Sequence, residues 1–449
     1  MIPPRLARRS QAGFWLAVVL TGIGTGLAAA ALTELLELVQ HRIWGGPGID
    51  LLQGASQAPP CWHMIVLTGA GLVTGAGQLL LTKLSSGNAI DISAAIWFHA
   101  GRLPKLRTLG SATLSIVIVA MGTALGREGA PKQAGAVMAD AASDGLRLTD
   151  EERRLLVACG AGAGMAAAYG VPLGGALFAV EVLRGTLSLR FVLPAMVTSL
   201  IATGVSWVFL PDAPTYEIPA YHGSLSVAAW ALLAGPIVGL VSVLYVRAVA
   251  LADRRKPVGW KRLVAPVVVL AALGGASIPF PELLGNGRDV AALAFTGQLA
   301  APLLLALVVL RPAATLLCLG SGAPGGLFTP SLAFGAMLGG VLGLPWALVW
   351  PGVPPGLFAL LGGTAMIAAT TQGPVSAIVL MMEMTGYARG AVVPLLVMVA
   401  TATLVARTIE WRSIYDARLS NAEVRARQRM RDDPGEEQAA PGGGANAGG

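Results

Sequence analysis

Glu128 is the residue whose setting most plainly could do chemistry. It sits in Leu125-Gly-Arg-Glu-Gly-Ala-Pro-Lys132, directly after one apolar run and before another that begins near Gln133. A carboxylate at such depth must be neutral, paired or facing a wet cavity, so it marks a candidate functional site. The neighbouring Gly126 and Gly129 leave backbone N–H groups open at the start of the following helix, and such a helix start attracts anions. The Glu128 side chain can take the anion's place there. A plain interfacial loop with a local ion pair among Arg127, Glu128 and Lys132 is the competing reading, and the glycine spacing argues against it. A second Gly-rich stretch, Gly320-Ser-Gly-Ala-Pro-Gly-Gly-Leu-Phe-Thr-Pro330, formally contains G-x-G-x-x-G. Pro324 interrupts it, and neither a preceding strand nor an acidic residue about 20 positions on accompanies it, so a dinucleotide cradle is excluded. A second anion-facing helix start fits better, with Phe328 at the place that matches Glu128.

Other chemistries find no support. His41, His63, His99 and His222 form no H-E-x-x-H, and no aspartyl G-x-G-D motif occurs, which argues against an intramembrane enzyme. Cys61, Cys159 and Cys318 are an odd, scattered set that suggests neither a disulfide framework nor a metal cage, so no cofactor or metal is expected. The 31 Lys+Arg exceed the 24 Asp+Glu to give +7, but the excess lies mainly at the ends, so nucleic acid is not an expected partner.

The elements that must position Glu128 and Phe328 are membrane helices. Of the 449 residues 55% are hydrophobic and 12% charged, about half the charged share of a soluble domain. Apolar stretches of about 20 residues recur from Gly13 almost to Arg407, each long enough to cross a bilayer core. They lie near 12–39, 64–84, 109–125, 155–183, 191–210, 226–251, 263–279, 290–321, 331–350, 356–385 and 390–409. Several are too long for one perpendicular crossing and carry Gly or Pro inside, as 155–183 does, which predicts tilted or broken helices. Arg5, Arg8 and Arg9 precede the first run, and Arg407, Arg412, Arg418, Arg425, Arg427, Arg429 and Arg431 follow the last. By the positive-inside rule both termini are cytoplasmic, in a multi-pass protein of the cell membrane.

Two windows repeat at an offset of 202: Gly160–Leu183 and Gly362–Thr385, each with Pro nine residues before Glu, at Pro172/Glu181 and Pro374/Glu383. A shift of 200 lays Gly126–Ala130 on Gly326–Pro330, each followed by Gly-Ala at 135–136 or 335–336. The expected fold is therefore all-α, a polytopic bundle of tilted and broken helices built from two inverted repeats. Paired interrupted segments in two halves point to a transport site near the bilayer midplane. The organisation reads as a cytoplasmic N-terminus (1–11), a first membrane repeat (12–210), a Pro-rich linker (211–225), a second membrane repeat (226–419) and a partly disordered cytoplasmic tail (420–449).

These segments resemble the CLC family of chloride channels and proton-coupled chloride transporters. GREGAP (126–131) is similar to that family's G-[KR]-E-G-P segment, GGLFTP (325–330) to its G-x-F-x-P segment, VPLGGALFAVEVL (171–183) to the helix after its gate, and SIYDARL (413–419) to its last helix with a pore tyrosine. The resemblance runs from about residue 14 to 420. It implies that Glu128 is the gate, that Arg127, Gly129, Leu327 and Phe328 surround the anion, that Tyr415 donates its hydroxyl, and that the protein is a homodimer with one pore per subunit. Three places depart from the pattern. The family's inner serine falls on Gly87 or Asn88 of Ser85-Ser-Gly-Asn-Ala-Ile-Asp-Ile92, with Ser86 one residue away; an Asn amide is an adequate donor, and a fluoride-exporting branch differs here too. An ordinary interhelical turn with Asn88 left-handed is the alternative for this segment. Ala130 stands where the family has proline, and Val182 stands at the proton-relay place, where transporters carry glutamate. Valine carries no proton, so the expected function is channel-like movement of chloride or another halide through a glutamate-gated pore in the lipid bilayer. The alternative is a proton-coupled halide antiporter, a fluoride exporter among the options. Glu181 and Glu383 are expected to pair with backbone or basic groups at helix ends.

Overall fold

In lipid, a chain this rich in Ala, Leu, Val and Gly must satisfy its backbone internally, and helices do so within one segment. The computed structural model describes residues 4–46, 48–85, 90–386, 390–416, 419 and 421–432; the regular elements among them are all helices, with no strand. The first half runs α1 (Pro4–Trp44), α2 (Leu51–Gln57), α3 (Pro60–Leu84), α4 (Ile92–Phe98), α5 (Lys105–Ala120), α6 (Gly129–Gly145), α7 (Asp150–Tyr169), α8 (Pro172–Leu177) with a π-helical extension Phe178–Arg184, and α9 (Leu189–Ser206). The second half runs α10 (Leu225–Arg254), α11 (Lys261–Ala276), a 3₁₀ turn at Pro281–Leu283, α12 (Arg288–Phe295), α13 (Ala301–Gly320), α14 (Phe328–Val349), α15 (Pro355–Thr371), α16 (Pro374–Met384) and α17 (Val392–Ile409). A basic helix, α18 (Asn421–Asp432), follows. Seven of the described helices are long and apolar enough to cross a bilayer: most of α1 (from Gln11), and α3, α9, α10, α13, α14 and α17.

The long apolar runs are broken where the sequence punctuates them. Run 155–183 stops at Gly170, whose φ of +67° closes α7, and restarts at Pro172, the first residue of α8. Run 356–385 does the same at Gln372, φ +61°, and Pro374. Run 290–321 divides into α12 and α13. The helix after Glu128 begins at Gly129, earlier than the hydropathy onset near Gln133, because Gly, Ala and Pro suit a first helical turn despite contributing little hydropathy.

Equivalent elements of the halves pack in equivalent ways. A Cβ at Gly135 would fall on the Gly160 carbonyl and one at Gly160 on the Gly135 carbonyl, so α6 and α7 meet backbone to backbone; Gly335 and Gly362 do the same for α14 and α15. The halves exchange bonds reciprocally. Gly126 N–H donates to the Gly326 carbonyl and Gly326 N–H to the Gly126 carbonyl, both at 2.8 Å, in an antiparallel pair. Exchange between matching residues running in opposite directions is what an inverted repeat requires.

Candidate functional site

Back-to-back pairing of Gly126 and Gly326 brings the starts of α6 and α14 face to face. Backbone approaches closely here: a Cβ at Gly129 would stand 3.1 Å from Gly326 N, and one at Gly326 would fall 2.0 Å from Glu128 Oε1. The positive ends of two helix dipoles therefore converge here.

Into that space comes Glu128, with no exposed surface. Its Oε1 accepts from the Phe328 backbone N–H at 2.7 Å, and its Oε2 from Thr329 Oγ1 at 3.1 Å. Thr329 Oγ1 also lies 2.8 Å from the Tyr169 hydroxyl, at the end of α7. Both carboxylate oxygens thus sit on the first residues of α14, at a helix start whose N–H groups favour negative charge. Arg127 turns away, its guanidinium 5.1 Å above the Tyr169 ring. The interfacial-loop reading is corrected: burial this complete and a carboxylate held by the opposite half are the opposite of a solvated loop.

Below Gly129, Gly326 and Leu327 opens a cavity of about 990 Å³, which Lys132, Phe178 and Tyr415 also line. Tyr415 hangs from the segment after α17, fixed because Ile414 N–H donates to the Thr370 carbonyl at 2.7 Å. Its ring meets Phe178 edge to face at 5.5 Å. Next to it, buried Asp416 pairs with buried Arg427 of α18, and Arg427 Nη2 donates to the Val182 carbonyl at 3.0 Å. Val182 is itself buried among apolar neighbours. The C-terminal basic helix is thereby tied to the π-helical segment that contains Val182.

Of the residues singled out from sequence, Glu128, Gly129, Leu327 and Phe328 come together at the paired helix starts, Tyr415 lies across the cavity, and Arg127 is adjacent but directed elsewhere. Ser86, Gly87 and Asn88 lie outside the described residues, as does the tail from 433 on. Glu181 and Glu383 do bond to helix starts, and reciprocally. Glu181 accepts from Val375 N–H at 3.1 Å and Ser376 N–H at 2.6 Å, and Glu383 accepts from Leu173 N–H at 3.0 Å and Gly174 N–H at 2.6 Å. Each thus satisfies the orphan donors of the other half's short helix. Sequence reading missed Lys132 as a cavity residue, although a lone cation four residues after Glu128 in a Gly/Ala-rich turn was the available signal. It also passed over Thr329, although that residue lies inside the GGLFTP segment, and Tyr169, which nothing in its local sequence distinguishes.

Comparison with known proteins bears on the family and the fold. The profile of a family described as voltage gated chloride channel matches residues 79–407. A protein of Ralstonia nicotianae named as a ClcB-like chloride channel is 33% identical over 436 residues, covering 92% of this chain and 96% of its own. The H(+)/Cl(-) exchange transporter ClcA of Salmonella arizonae is 29% identical over 440 residues, covering 93% and 90%. Among solved structures, a slow cyanobacterial Cl-/H+ antiporter shares the fold with a TM-score of 0.78 at 22% identity, covering 94% of this chain and 98% of that one.

Proposed function

Because the chain belongs to the voltage gated chloride channel family, we propose that it is a halide transporter of the cell membrane in which Glu128 is the gate and halide exchanges for protons. The observation that carries this is the Glu128 carboxylate on the Phe328 N–H and Thr329 hydroxyl. An anion entering from the cavity needs those same donors, so it competes with the side chain for one place. Protonation removes the charge that holds Glu128 there. The carboxyl group then yields to the anion and carries its proton with it, which links the two ions in opposite directions.

Leu327, Phe328 and Tyr415 border the anion in this reading, with Gly129 giving the backbone approach. Gly87 or Asn88, with Ser86 beside them, supplies the inner donor. Both termini are cytoplasmic, by the arginines that flank the first and last runs. The protein works as a homodimer. Chloride is the proposed halide, because the ClcA relative is named for chloride exchange.

One observation favours a passive channel instead: Val182 stands at the relay place, buried, and its carbonyl is taken by Arg427. Likeness to a named exchange transporter weighs more, because water can bring protons to the cavity, whereas the channel reading rests on one side chain. The deciding experiment loads proteoliposomes with chloride, imposes an outward gradient and records protons. Sustained uphill proton entry supports exchange; chloride efflux with no proton movement selects the channel.

A further inference from the structure

Thr329 and Tyr169 bring one hydroxyl each to the gate, and the geometry fixes what each hydrogen does. Thr329 Oγ1 lies 3.1 Å from Glu128 Oε2, and an ionised carboxylate only accepts, so the threonine hydrogen is committed there. Tyr169 Oη lies 2.8 Å from the same Oγ1, which has no second hydrogen to give, so the phenol donates. A directed chain results, from Tyr169 O–H to Thr329 and from Thr329 O–H to Glu128. All three side chains are buried, and in such surroundings one bond polarises the next. The phenol itself is held from two sides. Thr215 Oγ1 donates to the Tyr169 carbonyl at 3.2 Å, where α7 ends at Gly170, and the Arg127 guanidinium stands 5.1 Å above the ring. A cation over the ring face draws on its π electrons, which strengthens the phenol O–H as a donor.

We propose that Tyr169 is a positioning residue of the gate: it aims the Thr329 hydroxyl at Glu128, and the two together set how firmly the carboxylate is held against protonation and against an entering anion. This rests on the reading of Glu128 as the gate and adds to it the residues that set the pH at which the gate releases. The direction follows from the bonds. A donor to the carboxylate favours its charged form, so loss of that donor favours the protonated form that leaves the site. Of the other charged or titratable groups around Glu128, Arg127 adjoins it in the chain, Lys132 lies one turn on along α6, and Tyr245 acts on it from α10. The substitutions that test the chain of hydroxyls leave all three in place.

The test is chloride efflux from proteoliposomes measured across pH, comparing wild type with Thr329→Val, Thr329→Ser, Tyr169→Phe and the double variant that joins Thr329→Val to Tyr169→Phe. Valine keeps the shape of threonine without the hydroxyl. The midpoint of the pH profile should move up by about one unit in Thr329→Val, as the loss of one hydrogen bond to a charged group requires, and stay near wild type in Thr329→Ser. Tyr169→Phe should move it the same way by less, and should add nothing in the Thr329→Val background, because the phenol acts through that hydroxyl. A profile of Thr329→Val or of Tyr169→Phe that coincides with wild type would overturn the proposal, as would a Tyr169→Phe shift of equal size in both backgrounds. If Thr329→Val does not fold, Tyr169→Phe decides alone by the same midpoint. A wild-type profile that Glu128→Gln leaves unchanged is a different result, which removes the gate reading and this inference with it.

Discussion

At the scale of single residues, the proposed exchange turns on one carboxylate. Glu128 is buried without an exposed atom and compensated by one backbone N–H and one hydroxyl of the opposite half. Glutamine keeps an acceptor and nearly the same shape but neither ionises nor carries a proton. Glu128→Gln is therefore expected to fold, to continue conducting chloride, and to lose proton movement by at least about tenfold in proteoliposomes, since coupling needs the titrating group. Proton flux at the wild-type rate in this variant would remove Glu128 from the gate. In the proposed site the Tyr415 phenol, which adds no charge, gives the anion one hydrogen bond worth about 1.5 kcal/mol or more, because its acceptor is charged. Tyr415→Phe should accordingly weaken chloride binding by about tenfold or more in calorimetry, with the fold intact.

At the scale of elements, what positions these side chains is close backbone packing. Helices α6 and α7 cross at Gly135 and Gly160 with each glycine's missing Cβ directed at the other's carbonyl, and α14 and α15 cross likewise at Gly335 and Gly362. No rotamer change relieves a clash with backbone, so the helices would have to separate and carry Glu128 away from Phe328. Gly135→Leu should cost more than the roughly 1–3 kcal/mol of ordinary overpacking, lowering the thermal midpoint and yield of purified protein. A wild-type midpoint would show that the crossing has slack. The short helices α8 and α16 depend instead on charge: Glu181 and Glu383 each cap the other half's helix start. Removing one should loosen the same seam as removing the other, because the bonds are reciprocal.

At the scale of the whole molecule, large apolar side chains remain on the outside, such as Leu189, Leu193 and Leu200 on α9 and Val393, Leu396 and Leu404 on α17. In a membrane protein this surface meets lipid or another copy of the chain. The homodimer proposed here predicts twice the mass of a 45.8 kDa chain after correction for detergent in light scattering. A monomer under mild detergent would oppose it.

Much of this was legible before any coordinates, and the reason is periodicity and cost. Hydropathy marks membrane runs because lipid admits only internally bonded backbone, and Gly or Pro inside a run marks a break because neither continues a helix cheaply. Shifts of 200 and 202 set Phe328 opposite Glu128 and Glu383 opposite Glu181; the structure bonds Phe328 N–H to Glu128, and has Glu181 and Glu383 each cap the other half's short helix. Only the tertiary structure could decide the rest. Whether Lys132 meets Tyr415, 283 positions away, depends on how α6 is rotated about its axis and on where the segment after α17 returns. The same holds for Arg427 reaching the Val182 carbonyl, 245 positions away. A local pattern states which side chains share a face, but the partner of that face is set by the close approach of distant backbones, and here by the antiparallel bonds between Gly126 and Gly326.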